Sequence, residues 1–201
     1  MPNNILKYQL YKRGGGYVMC KILKNIQGRS ANELLEICGI SYEPPIDIDS
    51  LASKLGISIM PVDFSIIEKE ADVPTGYILG ATISQDNNVN ILYRENNTEN
   101  RRRFTIAHEI AHCSLHTDNL IDHHIELRDS YKSDSGKEFE ANIYAGELLI
   151  PESTLHNIYN QLIVPSLEAL AKIFMVSSTV MVARLEYLNL PYYKDIEINE
   201  A

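Results

Sequence analysis

The sequence predicts an α+β fold, mainly helical, with a small β-sheet or hairpin ahead of one polar-motif helix and a helical pair near the C-terminal end. Three observations predict it. Residues 76–84 (GYILGATIS) and 89–93 (VNILY) are rich in β-formers and flank Asp86-Asn87-Asn88, a hairpin signal. From Asn100 onward apolar residues recur at helical rather than alternating spacing. With 201 residues, 45% of them hydrophobic, the chain can bury one real core, or one core plus a small appendage.

The elements follow in order. Residues 1–28 read as an N-terminal tail or an extra packed element, interrupted by Gly14-Gly15-Gly16. A short helix is predicted over Ala31 to Cys38, with Ser30 as N-cap and Gly39 as its stop. Pro44-Pro45 resets the chain. Asp47 to Leu55 then carries Ile48, Leu51, Ala52 and Leu55 at helical spacing and ends at Gly56. Ile57, Ile59 and Met60 suggest a short strand before the hairpin, within which Gly76 and Gly80 mark a bend or a missing side chain. One helix is expected over Arg101–Leu115, a polar loop over 117–136 and a second helix over Lys137–Leu149, stopped by Pro151. Pro151–Tyr159 and Pro165–Phe174 each open on a proline suited to a first helical turn. A last helix covers Ser178–Leu188, and 191–201 reads as a tail, leaving 29–190 as the main domain.

Composition excludes several roles. No run of about 18 apolar residues exists to span a membrane, and the N-terminal stretch lacks a signal-peptide h-region. Three dispersed cysteines, Cys20, Cys38 and Cys113, suit a reducing compartment, so a cytoplasmic location is expected. The net charge of -9 argues against a sequence-independent grip on nucleic acid. Arg101-Arg102-Arg103 reads as a solvated helix face. The segments 165–190 have helix-turn-helix spacing, but only Lys172 and Arg184 are basic within 166–188. The pair is therefore read as a packing or docking element rather than a DNA reader.

The chemistry concentrates in HEIAH, His108 to His112. On a helix, positions four apart share a face, so both imidazoles can meet one ion. Glu109 lies beside that face, where a general base for an activated water is needed. The preceding FTIA, residues 104–107, makes the helix apolar enough to be buried, and buried polar groups need partners. A catalytic zinc site takes three protein ligands and leaves a position open. A metzincin third histidine is excluded, because Leu115 stands where glycine is required and Asp118 where histidine is. His116, one turn beyond His112, reads as a helix-end or cleft residue. His123 and His124 in the loop read as cleft-lining. Cys113 points away from His112 and reads as core. The favoured third ligand is Glu138. Asn142, four residues on, would bond a ligand histidine from behind. Glu140 is the rival ligand. Phe139, Ile143, Leu149 and Ile150 are expected to pack this helix on the core.

RRRFTIAHEIAH followed by EFEANIYAGELLIP resembles the ImmA/IrrE family of bacterial and phage metallo-endopeptidases, and the likeness spans roughly residues 44–190. It implies a zincin-like, gluzincin-type domain binding one Zn2+ through His108, His112 and Glu138, with Glu109 as base. Tyr144 departs from the family's usual Phe, and Gly146 from a usual Ala or bulkier residue. The resemblance implies a zinc-dependent endopeptidase acting on an intracellular regulatory protein, a helix-turn-helix repressor of a mobile element or stress response. Tyr131, His123 and His124 are the candidate oxyanion or substrate contacts. The alternative is a metal-binding regulator that acts by protein or DNA binding without cleavage.

Overall fold

A computed structural model describes residues 21–85, 88–117, 124–127 and 135–193. In chain order these form α1 (Lys21–Ile26), α2 (Ala31–Ile37), α3 (Ile48–Leu55), β1 (Ile57–Val62), α4 (Ser65–Glu70), β2 (Ile78–Gln85) and β3 (Asn88–Arg94). There follow α5 (Glu99–Leu115), β4 (His124–Leu127), α6 (Ser135–Leu149), α7 (Glu152–Tyr159), α8 (Leu167–Phe174) and α9 (Ser178–Tyr187). The fold is mainly helical α+β, with a mixed sheet built before the long helix α5 and extended by β4 after it.

Local chemistry sets the boundaries. Ser30 and Glu33 form a capping box at α2. Asp47 caps α3 through Ser50 N, and Gly56 ends it in the left-handed region at φ 78°, where a side chain would be strained. Thr98 caps α5, and Ser166 and Ser177 cap α8 and α9. Pro151 acts as the N-cap residue of α7 rather than its first turn.

The strand order is β1-β3-β2-β4. β1 runs parallel to β3, while β2 is antiparallel to both β3 and β4. The expected hairpin is present as β2 and β3, with Asp86 and Asn87 outside the described residues. The β2–β4 register slips between Ile78 and Gly80, a bulge at the glycine that the sequence marks as a bend. Two short elements escape the sequence reading. α4 has a single turn and a half of chain, and β4 is four residues inside the stretch expected to be loop.

The core joins sheet and helices. Val89 and Ile91 of β3 are buried with Ile106, Ala107 and Ile110 of α5, and with Ala141, Tyr144, Ala145 and Leu148 of α6. α1 contributes Leu23 and Ile26 to the same core. Ser114 Oγ bonds the Ile26 and Arg29 carbonyls, and the Tyr144 hydroxyl donates to Arg29 O at 2.8 Å. The hydroxyl by which Tyr144 differs from phenylalanine therefore fastens α6 to the α1–α2 connection. At Gly146 an added Cβ would meet Arg184 Cδ at 3.9 Å, ordinary contact, so packing does not demand glycine there.

Two expectations about side chains are corrected. Phe139 does not pack on the core: it is 64% exposed, whereas Leu149 and Ile150 are buried. The buried face of α6 is Ala141, Tyr144, Ala145 and Leu148, and Phe139 falls about 200° around the helix from Ala141. The arginine run is not a solvated face. Arg101 is exposed, but Arg102 makes a bidentate pair with Asp49, and Arg103 is buried with Nε donating to Met175 O. Burial works against the charge of Arg103 and pulls its pKa down. Together with Asn100 Nδ2 donating to Val176 O, Arg103 fastens the α8–α9 turn onto α5. The helix-turn-helix-like pair is thus held against the domain.

Candidate metal centre

α5 and α6 lie side by side and supply the centre. His108 and His112 are one turn apart on α5 and both are buried. Their Nε2 atoms approach to 3.0 Å. Glu138, in the first turn of α6, faces the pair, with Oε2 3.2 Å from His108 Nε2 and Oε1 3.4 Å from His112 Nε2. The three groups offer ligand atoms all within 4.8 Å of one another.

The outer nitrogens explain why the inner ones converge. Asn142 Oδ1 lies 3.0 Å from His108 Nδ1, the placement expected of that residue. With Oδ1 accepting, His108 carries its proton on Nδ1 and turns the Nε2 lone pair inward. His112 Nδ1 lies 3.1 Å from His116 Nδ1, and His116 Nε2 lies 2.9 Å from Glu140 Oε2. The consistent tautomers are His116 donating from Nε2 to Glu140, and His112 donating from Nδ1 to His116. That again leaves a lone pair on His112 Nε2. Two lone pairs 3.0 Å apart beside a carboxylate repel unless a cation lies among them, so the donor set fits a divalent metal.

Glu140, the rival for the third position, is accounted for by His116, and its side chain is 63% exposed. His116, which the sequence places only at a helix end or cleft, is the buried link between His112 and Glu140. Its four-residue spacing from His112 is the signal that could have found this link.

Glu109 is fully buried beside the histidines and accepts a hydrogen bond from Thr82 Oγ1 of β2. Thr82 is buried as well and escaped the sequence reading. It pairs across the sheet with His124 of β4, whose side chain, like all of His123 and Tyr131, lies outside the described residues. Cys113 is buried in the core, and Cys38 is half-buried.

Adjacent to this centre is a cleft of about 770 Å³ between α5, α6 and α9. Its lining includes Phe104, Phe139, Asn142, Arg101, Arg184 and Tyr187. Arg184 spans its wall, donating from Nε to Ile150 O at 3.1 Å.

A His-x-x-x-His pair on a buried helix, a carboxylate from the next helix and a buried glutamate beside the first histidine define a metallopeptidase site. The comparison with known families agrees: the IrrE N-terminal-like domain, peptidase family M78, matches residues 52–186. The chain belongs to that metallopeptidase family. No curated protein matches it closely enough to report. Among the described residues no helix is long and apolar enough to cross a membrane.

Proposed function

We propose that the protein is a zinc-dependent endopeptidase whose metal ligands are His108, His112 and Glu138 and whose general base is Glu109. The observation that carries this is the convergence of two inward-facing Nε2 atoms and a carboxylate, with both Nδ1 atoms engaged from behind. Nitrogen and carboxylate donors in a three-residue set suit zinc and leave room for a further ligand. A zinc ion there supplies Lewis acidity toward a water and the scissile carbonyl.

The chain's own residues do the rest. Asn142 and His116 hold the two imidazoles in the tautomer that can bind metal. Thr82 aligns the Glu109 carboxylate, which takes a proton from the attacking water and delivers it to the departing amine nitrogen. His123, His124 and Tyr131, from the chain between α5 and α6, are the proposed contacts to the substrate carbonyl.

The substrate we propose is a cytoplasmic regulatory protein, a helix-turn-helix repressor. The support is the resemblance of the two motifs to peptidases that act on such regulators, and a net charge that leaves DNA gripping to the partner. The deciding experiment combines metal analysis with cleavage. Wild type should hold near-stoichiometric zinc that His112→Ala and Glu138→Ala lose. Glu109→Gln should keep the zinc and lose cleavage of the co-expressed repressor. A Glu109→Gln protein that still inactivates the repressor would replace proteolysis with a binding mechanism.

A further inference from the structure

The cleft between α5, α6 and α9 approaches the metal centre from behind. Phe104 and Asn142 line it, and His108 is not among its lining residues. Asn142 is exposed, with its Oδ1 3.0 Å from His108 Nδ1, while the His108 side chain keeps only 2% exposure. The hydrogen bond that sets the tautomer of a proposed metal ligand thus runs from a closed imidazole to a side chain that solvent reaches. Phe104 stands one turn before His108 on α5, so the two share a helix face. Their ring centroids are 6.2 Å apart with the planes tilted by 37°, within the range of an aromatic contact. Phe104 is half-buried, touching the imidazole and the cleft at once.

Water is the competitor at that hydrogen bond. A water that reaches Nδ1 can replace Asn142 Oδ1 and donate instead of accept. A neutral imidazole whose Nδ1 accepts carries its proton on Nε2, which then has no lone pair for a metal. Kept from water, the same hydrogen bond is electrostatically stronger and admits one arrangement only. An apolar ring between the cleft and the imidazole excludes the water and offers Nδ1 no polar atom of its own.

We infer that Phe104 is a positioning residue of the metal centre: its ring seals the hydrogen bond between His108 and Asn142 from the cleft, and so holds His108 in the tautomer that can bind metal. The inference rests on the metal reading of His108 above. It adds a residue that acts only through a ligand, as an apolar counterpart to Asn142.

The test reads the seal directly. The full chain, isotope-labelled at its histidines, is studied by NMR with and without added zinc. The His108 Nδ1–H should exchange with water slowly in wild type. In Phe104→Ala and Phe104→Gln the exchange should quicken by about tenfold, the worth of roughly one net hydrogen bond. Zinc affinity, from competition with a chromophoric chelator, should fall about tenfold in the same two variants. Phe104→Leu keeps an apolar bulk and should restore both quantities. Val180→Ala widens the same cleft from α9 and should change neither. Phe104→Gln fills the space of the ring, so the test stands even where Phe104→Ala fails to fold. Exchange and affinity must move together, and a change in one without the other overturns the inference, as does no change in either. An equal loss in Phe104→Leu or in Val180→Ala also overturns it, because the role is then general packing rather than a seal. A wild type that takes up no zinc sinks the metal reading instead, and the exchange rates of the zinc-free proteins still decide whether Phe104 keeps water from His108.

Discussion

Nδ1 of His112 lies 3.1 Å from Nδ1 of His116, and the far nitrogen of His116 lies 2.9 Å from Glu140. The chain Glu140–His116–His112 ends at the inward Nε2 of a proposed metal ligand. It fixes the rotamer and tautomer of His112 before any metal arrives, as Asn142 does for His108.

Removing that support should weaken the metal without unfolding the protein. His116→Ala is expected to lower zinc affinity by about 10- to 100-fold, the usual range for residues behind a ligand. Glu140→Gln should cost less, since the amide oxygen still accepts from His116. His116→Asn, with an oxygen able to accept from His112, should recover part of the loss. Competition with a chromophoric chelator measures all three. Unchanged affinity in His116→Ala would remove His116 from the metal site.

Thr82 supports the proposed base as His116 supports the proposed ligand. Its hydroxyl donates to Glu109 from the middle of β2, and both side chains are buried. Thr82→Val keeps the shape and deletes the donor. Zinc content should stay at the wild-type level while kcat falls about tenfold or more and KM barely moves. The check is steady-state kinetics on a peptide that the wild type cuts. A matching rise in KM would place Thr82 in substrate binding instead.

These two residues show what the sequence could and could not disclose. The candidate metal cluster was legible because helical spacing puts His108 and His112 on one face of α5, and Glu138 and Asn142 on one face of the next helix. Caps and strand periodicity likewise located α2, α3, β2, β3 and α5 to within a residue or two. Thr82 lies 27 positions from Glu109 on a strand, and no local rule connects them. Glu140, the rival ligand, stands about 200° around the helix from Glu138 and meets His116 instead. β4 and α4 were too short to impose a period. Arg103 and Arg184 look like surface charges in sequence, and only the tertiary packing of α8 and α9 buries them.

The start of β2 depends on a buried ion pair. Glu68 of α4 accepts from the backbone N–H groups of Gly76 and Ile78 at 3.0 and 2.8 Å, and pairs with Arg94 of β3. Arg94 in turn donates to Ile78 O. Glu68→Ala leaves two N–H groups and a guanidinium without their acceptor. It should lower unfolding stability by about 3 kcal/mol, the lower end for a broken buried pair because Arg94 keeps some solvent access. Urea denaturation measures it. A loss below about 1 kcal/mol would mean that water replaces the carboxylate freely.

Asp49 gives the fold a pH signature at the entrance to α5. Its carboxylate takes two hydrogen bonds from Arg102, at 2.8 and 2.7 Å, and these hold its pKa below the usual carboxylate value. A depressed pKa means that the stabilisation is complete above the unfolded value, near ~3.9, and is lost as pH falls through the lower folded one. The side chain is 51% exposed, so solvent screening limits the pair to about 1 kcal/mol or less. Asp49→Asn should therefore lower Tm by a few degrees at pH 7. The difference should persist down to about pH 4 and close below it, as the wild-type carboxylate is protonated. Thermal melts of the two proteins across that range test it. A gap that stays constant into strong acid would assign the effect to packing rather than charge, and a gap that widens would reverse the sign of the linkage.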